Sequence, residues 1–177
     1  QFNPQGKLTV SFPRTVGQVP IFYNHKNTGR PEGFYESVFI TKYLDSPNQP
    51  LFPFGYGLSY TTFEYSEIQM EDKQLTRDGK LNVSVKVKNT GKYKGTETVQ
   101  LYIRDLVASV TRPVKELKSF RKVELKPGEE KKVEFVITEK DLRFWNDKKQ
   151  FISEPGKFHL FIGTDSENVK KAEFVLL

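Results

Sequence analysis

Between Leu81 and Leu176, apolar residues recur at every second position in run after run, and that period admits only one kind of element. Leu81, Val83, Val85 and Val87 alternate with Asn82, Ser84, Lys86 and Lys88. Successive side chains of an extended chain point to opposite faces, so the run predicts a strand with one apolar and one wet face. Thr96 to Asp105 repeats the pattern, with Val99, Leu101 and Ile103 on one face and Gln100, Tyr102 and Arg104 on the other. Val133, Phe135 and Ile137 follow, then Phe158, Leu160 and Ile162, and finally Ala172, Phe174 and Leu176. Lys115 to Leu125 reads as a further strand with Leu117, Val123 and Leu125 inward. Phe63, Tyr65 and Ile68 open the first strand, with a bulge expected where the spacing slips to three. Asn89-Thr-Gly-Lys92, Pro127-Gly128 and Pro155-Gly156 supply turns between runs. Asp141 to Asp147 begins as a short helical turn or a loop. Roughly seven strands with no long helical pattern between them predict an all-β sandwich rather than a parallel sheet with crossover helices.

The first sixty residues lack this regularity. Lys7 to Phe12 and Val19 to Tyr23 read as two short strands, Asn24 to Pro31 as a surface loop, and Ser37 to Leu44 as a strand or a helical turn. So little apolar content is not expected to make an independent core, so weak order or borrowed packing is expected here. Pro50 to Tyr65 then packs six aromatics into sixteen residues beside Pro53, Gly55 and Gly57. Proline fixes its own φ and the glycines reach angles that a Cβ forbids, so this stretch is a shaped, aromatic-rich turn that delivers the chain into the β-domain.

Few chemistries survive a search of the residues. With no cysteine there is no disulfide, thiolate nucleophile or Cys-ligated metal. The net charge of +6 comes from lysines interleaved with glutamates, as in Lys126 to Glu134, which reads as a mixed solvated surface rather than a nucleic-acid footprint. Gln1 is not a methionine and no charged-then-apolar leader or long apolar run follows it, so the chain is expected to be a piece of something longer and not to span a membrane. The two histidines, His25 and His159, have no second ligand at metal spacing, and His159 alternates onto the outward side of its strand. Glu97, Glu124, Glu130 and Glu134 are expected to be outward and solvated, with nothing to raise one carboxyl of a catalytic pair. Gly55-Tyr-Gly57 lacks the third glycine of a dinucleotide loop, so no cofactor is expected. Trp145 with Phe144, or Tyr56 with Tyr60, could stack on sugar, although large aromatics more commonly serve packing.

Pro50-Leu-Phe-Pro-Phe-Gly-Tyr-Gly-Leu-Ser-Tyr-Thr-Thr-Phe63 resembles the signature that opens the fibronectin type III-like domain of family 3 glycoside hydrolases, the β-glucosidase and β-xylosidase group. Phe12 to Lys26, Gln100 to Asp105, Arg112 to Leu117 and Leu125 to Glu129 extend the match over nearly the whole chain. The resemblance implies an immunoglobulin-like, fibronectin type III-like β-sandwich over 61–177, preceded by the tail of a truncated α/β sandwich domain (1–30) and a linker with the aromatic turn (31–60). It implies a parent that cleaves terminal β-linked glucosyl or xylosyl units with retention, through carboxylates that lie upstream of Gln1. No catalytic residue and no metal ligand is therefore assigned within the chain, which alone is expected to be inactive. Tyr23, His25, Arg30, Phe54, Tyr56 and Tyr60 are the residues implied at an interdomain junction or pocket rim. The implied partners are the missing catalytic domains and a second copy in a homodimer, with no nucleic acid or membrane, in a periplasmic or extracellular setting. A free-standing module that binds carbohydrate or protein is the alternative.

Overall fold

The computed structural model describes residues 2–27, 30 and 39–177. Its strands are β1 (Phe63–Tyr65), β2 (Gln69–Met70), β3 (Gln74–Leu75), β4 (Leu81–Asn89), β5 (Gly95–Asp105), β6 (Glu116–Leu125), β7 (Glu130–Ile137), β8 (Phe144–Trp145), β9 (Phe151–Ile152), β10 (Gly156–Gly163) and β11 (Val169–Leu176). Two single 3-10 turns, Val16–Gln18 and Glu139–Leu142, are the helical elements among the described residues. In one sheet β4 pairs with β7 and with β1 and β2. In the other the order is β3-β11-β10-β5-β6, antiparallel except where β3 runs parallel to β11. β8 and β9 form a separate hairpin. The chain is an all-β, fibronectin type III-like sandwich.

The expected alternation builds the core. Val83, Val85 and Val87 of β4, Phe135 and Ile137 of β7, Leu101 and Ile103 of β5, and Leu160 and Ile162 of β10 are all at most 2% exposed. Phe158 and Phe174 are direct cross-strand partners and stack with centroids 5.3 Å apart. Each such side chain stabilises the sandwich by about 1.5–3 kcal/mol on burial. The bulge expected in the first strand is real. Phe63 pairs with Asn89 but Gln69 with Ser84, one residue out of step, and the strand is divided into β1 and β2.

Four residues depart from the sequence expectation, each for a local reason. A second bulge shifts the β5–β6 register between Leu101 and Tyr102, so Leu117 pairs with Tyr102 and lies on the outer face instead of inward. Glu97 shares the parity of Val99 and is 4% exposed, not solvated. It sits between the sheets, where its Oε1 accepts the Tyr65 hydroxyl at 2.9 Å and the Lys7 ammonium stands 3.7 Å away. Burial and this carboxylate push the Tyr65 phenol well above its usual range. Finally, the supposed wet face of β5 is dry: Gln100 is 3% and Tyr102 0% exposed.

Residues 2–27 and 50–60 cover that face. The runs at 7–12 and 19–23 do not form strands. Instead Phe12 makes a single antiparallel bridge with Phe52, flanked by bonds from Leu8 N to Tyr56 O and from Gly55 N to Leu8 O, both 2.8 Å. Pro53 has no amide hydrogen to extend the ladder. Asn3 Nδ2 donates to Lys94 O, and Lys7 Nζ donates to the backbone and side-chain oxygens of Thr164, pinning the segment to the sandwich. Gln18, nearly fully buried, accepts from Arg14 N and donates to Pro47 O, closing the segment on itself. Of Ser37 to Leu44, residues 37 and 38 lie outside the described residues, and 39–44 form bends rather than a strand or helical turn. Of the two alternatives expected for this part, residues 2–27 show borrowed packing, through the bonds of Asn3 and Lys7 and the Tyr23–Tyr102 contact.

Candidate functional site

The aromatic turn and the outer face of β5 make one cluster. Gly55 adopts φ +82°, and a Cβ there would lie 2.1 Å from the Gln100 side-chain oxygen, so only glycine lets the turn approach β5 this closely. Gln100 Nε2 donates to Gly55 O at 3.1 Å and Thr164 O at 2.5 Å, while its Oε1 accepts the Tyr102 hydroxyl at 2.5 Å. Above this polar lock, Tyr23 stacks on Phe54 with centroids 4.2 Å apart and meets Tyr102 edge-on at 5.8 Å. The Tyr23 hydroxyl accepts Leu117 N, and Ser166 N donates to Phe54 O. Tyr56 joins through Phe52, 4.9 Å away, which in turn meets Phe12.

Of the six residues singled out from sequence, the fold brings Tyr23, Phe54 and Tyr56 together. His25 lies beside them in a groove of about 580 Å³ that Tyr23, Thr41, Tyr43, Lys115 and Ser166 also line. Its carbonyl accepts Val114 N at 2.9 Å, and its exposed ring lies 3.2 Å, at Nδ1, from its neighbour's carbonyl, Lys26 O. Arg30 and Tyr60 stand apart. Arg30 is exposed and bonds to Phe39 O, and Tyr60 is 65% exposed with its amide on Asn3 Oδ1.

Sequence reasoning passed over Gln100, Tyr102, Lys115 and Ser166. The available signal was an aromatic at an outward position of a strand, Tyr102, which alternation alone assigns to water. Lys115 donates to Ser166 O and lies 4.9 Å from the Phe161 ring centroid; burial holds its ammonium pKa below the usual lysine value. Such a surface presents flat aromatic faces beside hydrogen-bonding groups.

The acids are tied into local structure. Glu139 accepts Arg143 at 2.8–3.0 Å and Ser153 Oγ at 2.6 Å. Asp165 caps its own turn through the amides of Glu167 and Asn168. Asp105 is different: its Oδ2 is buried without a hydrogen-bond partner among the described residues, and burial pushes its carboxyl up to about 6 despite the amide of Val107 and the nearby Arg112. His159, expected at the surface, is only 16% exposed at its side chain and bonds to Glu173 at 3.0 Å, with burial lowering its pKa. Among the described residues, no group of three or more His, Cys, Asp or Glu is placed to hold a metal. No helix of the described residues is long and apolar enough to cross a membrane.

Trp145 and Phe144, considered from sequence as a joint platform, face opposite ways. Phe144 is 3% exposed, with the Arg112 guanidinium 4.4 Å from its ring centroid, whereas Trp145 is 66% exposed.

Comparison with known proteins agrees with this fold. The fibronectin type III-like domain family matches residues 97–166. The chain is 51% identical over 177 residues to a periplasmic β-glucosidase of Salmonella typhimurium, a match covering 99% of this chain and 23% of that protein. It is 45% identical to a putative β-xylosidase of Formosa agariphila, covering 99% and 22%. The crystal structure of a Listeria innocua β-glucosidase in complex with glucose superposes with a TM-score of 0.88 at 44% identity, covering 98% of this chain and 24% of that one. The chain thus spans less than a quarter of the length of each of these relatives. By sandwich topology, by the aromatic turn locked onto β5 and by these likenesses, the chain belongs to the family 3 glycoside hydrolases, as their fibronectin type III-like portion with the segment that precedes it.

Proposed function

We propose that this chain is the non-catalytic, carboxy-terminal accessory portion of a β-glucosidase-like hydrolase that cleaves terminal β-glycosidic bonds with retention. The observation that carries the proposal is the pairing of near-complete coverage of this chain with under a quarter of each relative. Residues 2–60 would be the seam to the catalytic domains. Residues 2–27 and 50–60 cover the outer face of β5 through the Gly55–Gln100–Tyr102 lock, and they present Tyr23 and His25 along a groove that would meet the neighbouring domain or the outer rim of its pocket. A seam of stacked aromatics over a rigid sheet transmits position without supplying chemistry, which suits a buttress. Exposed apolar side chains in the same region, such as Leu58 and Tyr60, would be covered by the catalytic domains or by a second copy. The name of the Salmonella relative supports a periplasmic or extracellular address.

The test is hydrolysis of an aryl β-glucoside and an aryl β-xyloside. The proposal expects turnover with the anomer retained from the protein encoded by the whole reading frame, and none from this 177-residue chain alone. Turnover by the isolated chain would overturn it.

A further inference from the structure

The hairpin that carries Trp145 takes no part in the junction described above. Trp145 and Phe151 are direct cross-strand partners, so both side chains rise from one face of β8–β9. They are 66% and 50% exposed, with centroids 5.4 Å apart and planes inclined by 43°. Phe144, on the opposite face, is buried and anchors the hairpin to the sandwich. One carboxylate clips both ends of the base: Glu139 receives Arg143, just before β8, and Ser153, just after β9. The tip is equally fixed. Asn146 Oδ1 accepts the amides of Lys148 and Gln150, and Lys149 takes a left-handed φ of 59°. Large rings held open to solvent on a pinned scaffold have already lost the freedom that binding would otherwise remove.

We propose that Trp145 and Phe151 form a docking platform for a soluble β-linked glycan chain. A pyranose with equatorial hydroxyls presents a flat face of C–H groups that packs on an aromatic ring, and Trp offers the largest ring. Two rings inclined by 43° follow a chain that turns between successive sugars, as xylan and β-1,3-glucan do, and do not match the plane of a crystalline surface. Asn146, Lys148 and Gln150 lie in the turn that joins the two ring-bearing strands and carry amide and ammonium groups able to bond hydroxyls. The choice of a glycan over other occupants rests on the glycosidase membership proposed above.

Trp145 is the only tryptophan in the chain, so its fluorescence reports this site alone. The 177-residue chain is titrated with xylohexaose and laminarihexaose by fluorescence and calorimetry, with microcrystalline cellulose as the flat control. Saturable binding of either hexasaccharide is expected, weakened about tenfold or more in Phe151→Ala, where the reporter remains, and in Trp145→Ala, read by calorimetry. Trp145→Phe should recover part of the loss. Because both rings are exposed, the thermal midpoints should match the parent chain. Absence of binding, binding unchanged in both alanine variants, or binding to cellulose alone would overturn the proposal. So would a dimer in sedimentation that Trp145→Ala converts to monomer, since a second copy would then own the face. If the glycosidase reading failed instead, the whole-frame protein would leave aryl glycosides intact while hexasaccharide binding persisted.

Discussion

Replacing Gly55 by alanine tests the lock between the aromatic turn and the sandwich, and a second glycine separates the two causes of damage. Gly55 sits at φ +82° and Gly128 at +77°, so alanine meets similar backbone strain at both, about 1–2 kcal/mol. Around Gly128 nothing lies within 4 Å of the new Cβ, whereas at Gly55 it would fall 2.1 Å from Gln100 Oε1 and 2.8 Å from its Cδ and Nε2. The buried Gln100 must move. It then surrenders one or two of its bonds to Gly55 O, Thr164 O and the Tyr102 hydroxyl, at about 1–3 kcal/mol for each buried group left unsatisfied. Gly55→Ala should therefore cost about 2–8 kcal/mol, and Gly128→Ala about 1–2 kcal/mol. Gly6→Ala, in open space with ordinary φ, should change stability by less than about 0.5 kcal/mol. Urea unfolding followed by far-UV circular dichroism gives all three values, and near-UV signals from the stacked Tyr23 and Phe54 report the turn itself. Equal losses at Gly55 and Gly128 would show that the Gln100 contact contributes nothing.

Three further outcomes follow from the same geometry. Val85→Asp, at a site 1% exposed and paired with Val133, buries an uncompensated carboxylate and should abolish the folded far-UV spectrum; a soluble, folded variant would mean that the inward face is misassigned. The Asp105 carboxyl titrates near 6 when folded, against about 3.9 when unfolded, so the folded state binds the proton more tightly. Its favourable contribution is full below pH of about 4 and is lost as pH rises to about 6, so Asp105→Asn should flatten that part of a stability–pH curve, and an unchanged slope would refute the assignment. Glu139→Ala leaves Arg143 and Ser153 without their shared acceptor and should lower stability by about 1–3 kcal/mol, with faster amide exchange confined to residues 143–153; exchange that rises equally in β4 would contradict a local clip.

The sandwich was legible because its core residues alternate without interruption in β4, β7 and β10, and a period of two leaves no other element. What alternation missed were positions where a bulge or a covering segment changes the meaning of a face. Leu117 lost its inward assignment to a single extra residue in β6, which no composition rule marks. The charge of Glu97 points to water, whereas its parity with Val99 places it inside. Gln100 and Tyr102 were given to water because the segment that dries them lies 45 or more residues earlier and has no periodicity of its own. Tyr23, Phe54 and Tyr56 were found through the aromatic turn and its family likeness, whereas Lys115 and Ser166 reach the same surface only through tertiary contacts.

The most direct measurement of whether residues 2–60 and the sandwich are one folded unit is amide exchange of the 177-residue chain beside the same chain beginning at residue 61. Slow exchange should persist at Val83 and Val85 of β4 in both, while the shorter chain should bind an apolar dye and lose protection at Leu117 and Ser166, whose amides bond to Tyr23 and Phe54. Identical protection at all four positions with no dye bound would mean that the outer face of β5 is stable uncovered, and that the seam to the rest of the hydrolase lies elsewhere.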